Sequence, residues 1–385
     1  MAQKERIPQL DIFRAIAIFA VIAIHATSRT LAETLGTSMF PPFLFINKFS
    51  QFAVPSFVFL SGFVLFYNYI DRPLGGKVLA KFYSRRLIYI IVPYLMFTVL
   101  YFGLKMTAGH TWGLPLQELG AKFGKYLWTG TAYTHLYYII IIIQFYVLFP
   151  LVLWCLQKVR HLAAWAPVIG LALQWGFVLL NKYMVNHGYW QLSKGSLAIT
   201  YFSYFLLGAA IAIYYSSLKK WLIPSREGWR SGKGASWVAL WLVWAAAGIG
   251  HVLLWYNNYT KKTVINSLWY EGFSNLHALL SCLVLLQLSF LLYGAGRSFL
   301  TRLLISAGAC SFGIYLLHPL LLFLYRKLPF HGGSLAYTAA IAGGWLVALL
   351  GSWLVVALAF RYVKPAWIVF GSAPPKPGPV PKATV

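Results

Sequence analysis

Acidic residues are scarce: seven Asp and Glu stand against 32 Lys and Arg in 385 residues. They are scattered, and no paired-carboxylate motif stands out; nor does a Gly-rich phosphate loop or a nucleophile elbow. Cysteine is scarce too, and the odd number at Cys155, Cys282 and Cys310, each in an apolar run without metal-ligand spacing, reads as buried thiols. No pair of histidines, or of His and Asp, has the i, i+4 spacing of a zinc site, so no metal is expected. No stretch is long and polar enough for a second folded domain, and no internal repeat is visible, which disfavours inverted-repeat transporters.

Apolar residues are abundant. The chain is 60% hydrophobic, 18% aromatic and only 10% charged, with a mean hydropathy of +0.68, the composition of a polytopic membrane protein. A net charge of +25 would suggest nucleic acid in a soluble protein. Here the basic residues fall in short segments between apolar runs, where they set topology instead, and no nucleic-acid partner is expected. Ten spans are expected, near 9–30, 48–70, 87–106, 135–155, 163–184, 196–216, 236–256, 272–294, 305–328 and 335–360, giving an all-α fold. With the N-terminus inside, the cytoplasmic segments collect 20 of the 32 basic residues against 11 outside, with Arg14 in the membrane. Both termini then read as cytoplasmic. Residues 1–370 are expected to form one transmembrane domain, and the Pro- and Lys-rich stretch 371–385 a disordered cytoplasmic tail.

The run from Leu10 to His25 places Asp11, Arg14 and His25 in apolar sequence. Ionisable groups in a membrane helix are costly and usually functional. At about 100° per residue, Arg14 and His25 lie ~20° apart around a helix, with Asp11 ~60° from Arg14 and ~40° from His25. All three share one stripe. Arg14 and His25 are roughly 16 Å apart along the axis, about half of a ~30 Å hydrocarbon core. The charge would sit near one surface and the imidazole well inside. Ala15 to Ile24 is too short to span lipid alone, so the stripe is expected to face other helices or a wet cavity. The plainer reading is a first helix whose polar edge makes interhelical hydrogen bonds; a cleaved signal peptide fits badly, because Asp11 and Arg14 interrupt its layout.

Other polar groups are fewer. Lys81, Arg85 and Arg86 precede Pro93-Tyr94, and Lys81 and Arg85 share a face if helical. They read either as positive-inside loading or as a basic rim for a phosphorylated ligand. Span two carries Pro55 and Ser61-Gly62-Phe63; a kink at the proline and close helix approach at the glycine are the sharper readings, with ordinary packing the default for both. His135 opens span four from the outer side. His318, before Pro319, is expected at a helix break late in span nine, with Tyr315 nearby. Glu271, beside Trp269 and Tyr270 at the outer start of span eight, resembles a sugar-binding surface, though an interfacial aromatic belt explains the rings as well.

Together, Leu10-Asp11 with the Arg14 to His25 spacing, Ser61-Gly62-Phe63, Arg85-Arg86 to Pro93-Tyr94, His135-Leu136-Tyr137-Tyr138 and Ser311 to His318 resemble the integral-membrane acyltransferase 3 family. The resemblance covers roughly residues 7 to 360, and the Arg-x10-His element is its most specific part. It implies about ten spans and transfer of an acyl group, commonly acetyl and sometimes succinyl, from cytoplasmic acyl-coenzyme A to hydroxyls of sugars outside the membrane. The chain looks closest to stand-alone members that O-acylate exopolysaccharides or cell-wall glycans. It departs in having Tyr137 where Trp is usual, and in showing no appended hydrolase-like domain.

The resemblance implies a multi-pass plasma-membrane enzyme with no bound cofactor, using acetyl- or succinyl-coenzyme A as donor. Its partners are the bilayer, the donor and a glycan acceptor, with a homodimer or a polysaccharide synthase complex as the candidate assembly. Arg14, with Arg85, Arg86 and Lys81, would hold the phosphates, Asp11 would orient Arg14, and His25 would act as general base. Acyl transfer through His25 itself is the mechanistic alternative. His135, Tyr315 and His318 would orient His25 or stabilise the oxyanion, with Glu271 and Ser61 as supporting or acceptor-side residues. A transporter or flippase for an anionic sugar or lipid, and a non-catalytic partner of a polysaccharide synthase, are the competing classes.

Overall fold

The computed structural model describes residues 4–262, 265–296, 298–329 and 332–374, the side chain of Arg226 excepted. Among them there is no strand. Long apolar runs in lipid must bond their backbone internally, and helices do so within each segment. In order come α1 (Gln9–Ala26), α2 (Thr30–Glu33), α3 (Phe40–Phe49), α4 (Ala53–Tyr69), α5 (Gly76–Ala108), α6 (Leu116–Thr129), α7 (Tyr137–Lys158), α8 (Leu162–Asn186) and α9 (Phe202–Ile213). There follow α10 (Tyr215–Leu222), α11 (Arg226–Arg230), α12 (Lys233–Lys261), α13 (Ser267–Gly294), α14 (Phe299–Ala309), α15 (Ser311–Tyr325), α16 (Ser334–Leu346), α17 (Ser352–Tyr362) and α18 (Trp367–Phe370).

Among the described residues, eight segments are long and apolar enough to cross a membrane, or up to ten if the bent pairs α9–α10 and α14–α15 each count as one. This agrees with an all-α protein of about ten spans. Residues 375–385, most of the expected tail, lie outside the described residues.

The helices form two compact units, one comprising the chain up to Phe57 with Tyr215–Arg361, the other Val58–Tyr214 with Tyr362–Ala373. In the first, α1 is the central helix, packed by α3, α13, α14, α15 and α16. Gly308 brings α14 against the first turn of α1, where a β-carbon would overlap the backbone carbonyl of Asp11. Ile12 and Ala15 then pack on Leu304 and Ala307. In the second unit, Gly62 of α4 lies on the backbone of Phe205, and Gly208 of α9 lies on that of Phe59. Such reciprocal small-residue contacts let membrane helices gain dispersion energy from backbone approach. The close approach expected at Ser61-Gly62-Phe63 is therefore present.

Pro55 sits in the first turn of α4, where its missing N–H costs nothing, and the 3₁₀ turn Ser50–Phe52 precedes that helix. Two local expectations are corrected. His318 is not at a break but inside α15, whose junction with α14 at Cys310 bends by 82°. Its ring nitrogen Nδ1 meets the Ile314 carbonyl oxygen at 3.0 Å. The Lys81 to Arg86 cluster is not in a connecting segment, because α5 begins at Gly76; Lys81 and Arg85 are exposed four apart on that helix, as the spacing requires. Phe82 between them is anchored among Tyr69, Tyr146 and Phe149. Of the thiols, Cys282 and Cys310 are buried and Cys155 is half-buried.

Candidate active site

The polar stripe of α1 is held at both ends by other parts of the first unit. Near the N-terminus the Asp11 carboxylate is buried and accepts from Arg6 Nη2 and Arg14 Nη1, each at 2.6 Å. Two charge-assisted bonds on one carboxylate are strong and directional, and they leave the cluster one net positive charge. Asp11 therefore positions Arg14, as the spacing of three allowed. Arg6, read from sequence only as a topology signal, shares that carboxylate. It lies before the helix begins, so no periodic pattern pointed to it.

At the other end, the last carbonyls of a helix lack internal donors. Here they are met from three directions. Arg326 Nη2 donates to the carbonyls of His25 at 2.7 Å and Ala26 at 3.1 Å. Asn47 Nδ2 donates to the Ile24 carbonyl at 3.1 Å, and the Thr27 hydroxyl to that of Ala23 at 2.7 Å. A cation on these carbonyls also meets the negative end of the helix dipole. Sequence reasoning missed Arg326, which counted as one external charge among several; its one signal was a place just past the end of the run that carries His318.

His25 is thereby fixed in the last turn of α1, half-buried, with its ring 5.3 Å from that of His318, centre to centre, and tilted by 49°. His318 is fully buried. Because a carbonyl oxygen only accepts, Nδ1 of His318 carries the proton it directs at Ile314, and in the neutral ring Nε2 is the lone-pair nitrogen. Tyr315, one turn earlier, has its ring 6.2 Å from that of His318. The stripe thus places a partly exposed guanidinium pair about half a bilayer away from an imidazole pair.

The remaining sequence candidates fall elsewhere. Glu271 is half-buried in the first turns of α13, next to the half-buried Tyr270 and two residues from the exposed Trp269. His135 belongs to the second unit, buried in the turn before α7 with its ring against Tyr101 at 5.2 Å and Tyr133 at 5.8 Å. Ser61, half-buried on α4, and the basic residues Lys81, Arg85 and Arg86 of α5 belong to that unit too.

A family model described as an acyltransferase domain, that of the acyltransferase 3 family, matches residues 7–362. No curated protein and no solved structure matches the chain. The matched span contains the Asp11–Arg14 pair, the His25–His318 pair and the helices that position them, and on that evidence the chain belongs to the acyltransferase 3 family and is a multi-pass membrane acyltransferase.

Proposed function

We propose that the protein transfers an acetyl or succinyl group from acyl-coenzyme A on the cytoplasmic side of the plasma membrane to a hydroxyl of a glycan on the other side, with both termini cytoplasmic. The observation that carries this reading is the imidazole pair His25–His318 at one end of α1, with an arginine pair organised by Asp11 at the other. A thioester donor with an anionic nucleotide head and a long neutral arm suits that polarity. Arg14 and Arg6 offer guanidinium forks to phosphate oxygens. The pantetheine arm runs toward His25.

His25 takes the proton of the acceptor hydroxyl as the oxygen attacks the thioester carbonyl. Negative charge develops on that carbonyl oxygen, and the Arg326 cation and Tyr315 hydroxyl serve at that end of the stripe as its stabilisers. Collapse breaks the carbon–sulfur bond, and the departing thiolate recovers the proton from the His25 imidazolium. General base catalysis of this kind is typically worth about 10²–10⁴-fold. His318 acts as a positioning residue, its own tautomer set by the Ile314 carbonyl. Glu271 serves the acceptor side.

Release of free coenzyme A from acetyl- and succinyl-coenzyme A, measured in nanodiscs with and without a glycan panel, tests the proposal. Turnover by wild type that vanishes in His25→Ala supports it. Failure of folded protein to bind either donor would overturn it in favour of transport of an anionic sugar or lipid.

A further inference from the structure

The first unit contains a second polar cluster, away from the α1 stripe, that the mechanism does not use. Lys48, on α3, is 7% exposed. Its ammonium lies 3.8 Å from the centre of a Trp255 ring and 5.9 Å from that of Tyr259, and among the described residues no carboxylate pairs with it. Trp255 and Tyr259 stand on one face of α12 with His251, at successive intervals of four. His251 donates from Nε2 to the Gln51 side-chain oxygen at 3.1 Å. Tyr270 of α13 closes the group, its ring 5.0 Å from that of Trp255.

The hydrogen-bonding balance of this cluster is one-sided. The buried Trp255 Nε1–H and the Tyr270 hydroxyl have no partner among the described residues, and the Lys48 ammonium lies over two rings. The cluster therefore holds an indole N–H, a hydroxyl free to donate and a cation, with no anionic acceptor among the described residues. A buried ammonium costs several kcal/mol unless compensated, and cation–π contact returns only about 0.5–2 kcal/mol. An apolar side chain at 48 would pack on Trp255 at no such cost. The imbalance is what a site for an oxyanion requires.

Its position indicates which oxyanion. Asn47, the neighbour of Lys48, bonds to the Ile24 carbonyl and the Thr27 hydroxyl, so α3 delivers Lys48 to the same end of α1 that carries His25. The donors are set among aromatic faces, the surfaces on which sugar rings stack. We propose that Lys48, Trp255 and Tyr270 bind the carboxylate or phosphate of an acidic sugar, which is the acceptor of the acyl group. The acceptor assignment rests on the proposed transferase reaction; the binding site itself does not.

The test is equilibrium binding to the full chain in nanodiscs. The probes are a hexasaccharide of alternating glucuronate and N-acetylglucosamine, glucose 1-phosphate, neutral chitohexaose, and succinate. At least one anionic sugar should bind tenfold or more tightly than chitohexaose, and Lys48→Met should remove that difference while Lys48→Arg keeps most of it. Lys48→Met should melt at or above the wild-type temperature, because Met covers the Trp255 face without a buried charge. Equal binding of neutral and anionic sugars, insensitivity to Lys48→Met, or a lower melting temperature for that variant would overturn the site. Succinate binding tighter than either anionic sugar and lost in Lys48→Met would overturn the acceptor assignment, since the oxyanion would then belong to the acyl chain. Anionic-sugar binding in a protein that releases no coenzyme A from any donor would defeat the transferase reaction and leave the site standing.

Discussion

Arg326 donates to the carbonyl oxygen of His25 at 2.7 Å across 301 residues of chain. The same guanidinium reaches the Ala26 carbonyl, so the last turn of α1 is locked by α15, the helix that also presents His318. The catalytic candidate and its neighbour are therefore two features of one α1–α15 contact.

Arg326→Met should unfold the first unit more readily. It removes two charge-assisted bonds from part-buried carbonyls, each worth about 1.5–3 kcal/mol, and the two are not additive, so a loss of about 2–4 kcal/mol is expected. The melting temperature in nanodiscs would fall, and kcat for coenzyme A release would fall with it. Unchanged stability would mean that water replaces the cap.

His318→Phe keeps a buried ring and removes the nitrogen beside His25. The expected result is a roughly 10–100-fold loss of kcat with KM for the donor held within about twofold, since a positioning residue acts on the base and not on binding. A KM effect of similar size would place His318 in the donor site instead.

Asp11→Asn should act at the opposite end of the stripe. Without the carboxylate, Arg6 and Arg14 repel each other and lose the shared anchor that fixes their forks. Donor affinity should weaken about tenfold or more, read as KM for acyl-coenzyme A, with a smaller change in kcat. Donor binding by titration calorimetry separates this from a folding defect.

Gly308→Ala should be among the more damaging single-methyl changes, because the new carbon would overlap the Asp11 backbone and force α14 from α1. Overpacking of this kind costs about 1–3 kcal/mol. Gly176→Ala, inside α8 with nothing within 4 Å, is the matched control and should be neutral or stabilising by up to about 1 kcal/mol. Equal melting temperatures for the two variants would show that the α1–α14 contact is loose.

The long apolar runs, the number of spans and the stripe of Asp11, Arg14 and His25 were legible before any coordinates, because lipid demands helices and a helix has a fixed period. The Asp11–Arg14 pair followed from a separation of three on that helix. What sequence could not supply was the company His25 keeps. His318 and Arg326 reach it from distant chain, and no local period encodes a contact across 301 residues. Nor did it locate the bend near His318: the residue before a proline is biased against helix, yet the helix ran through Pro319 and broke at Cys310, where packing of the first unit outweighed a local preference. Lys48 escaped notice for the same reason. As one basic residue among 32 it carried no signal, and only the folding of α3 against α12 set its ammonium on the face of Trp255.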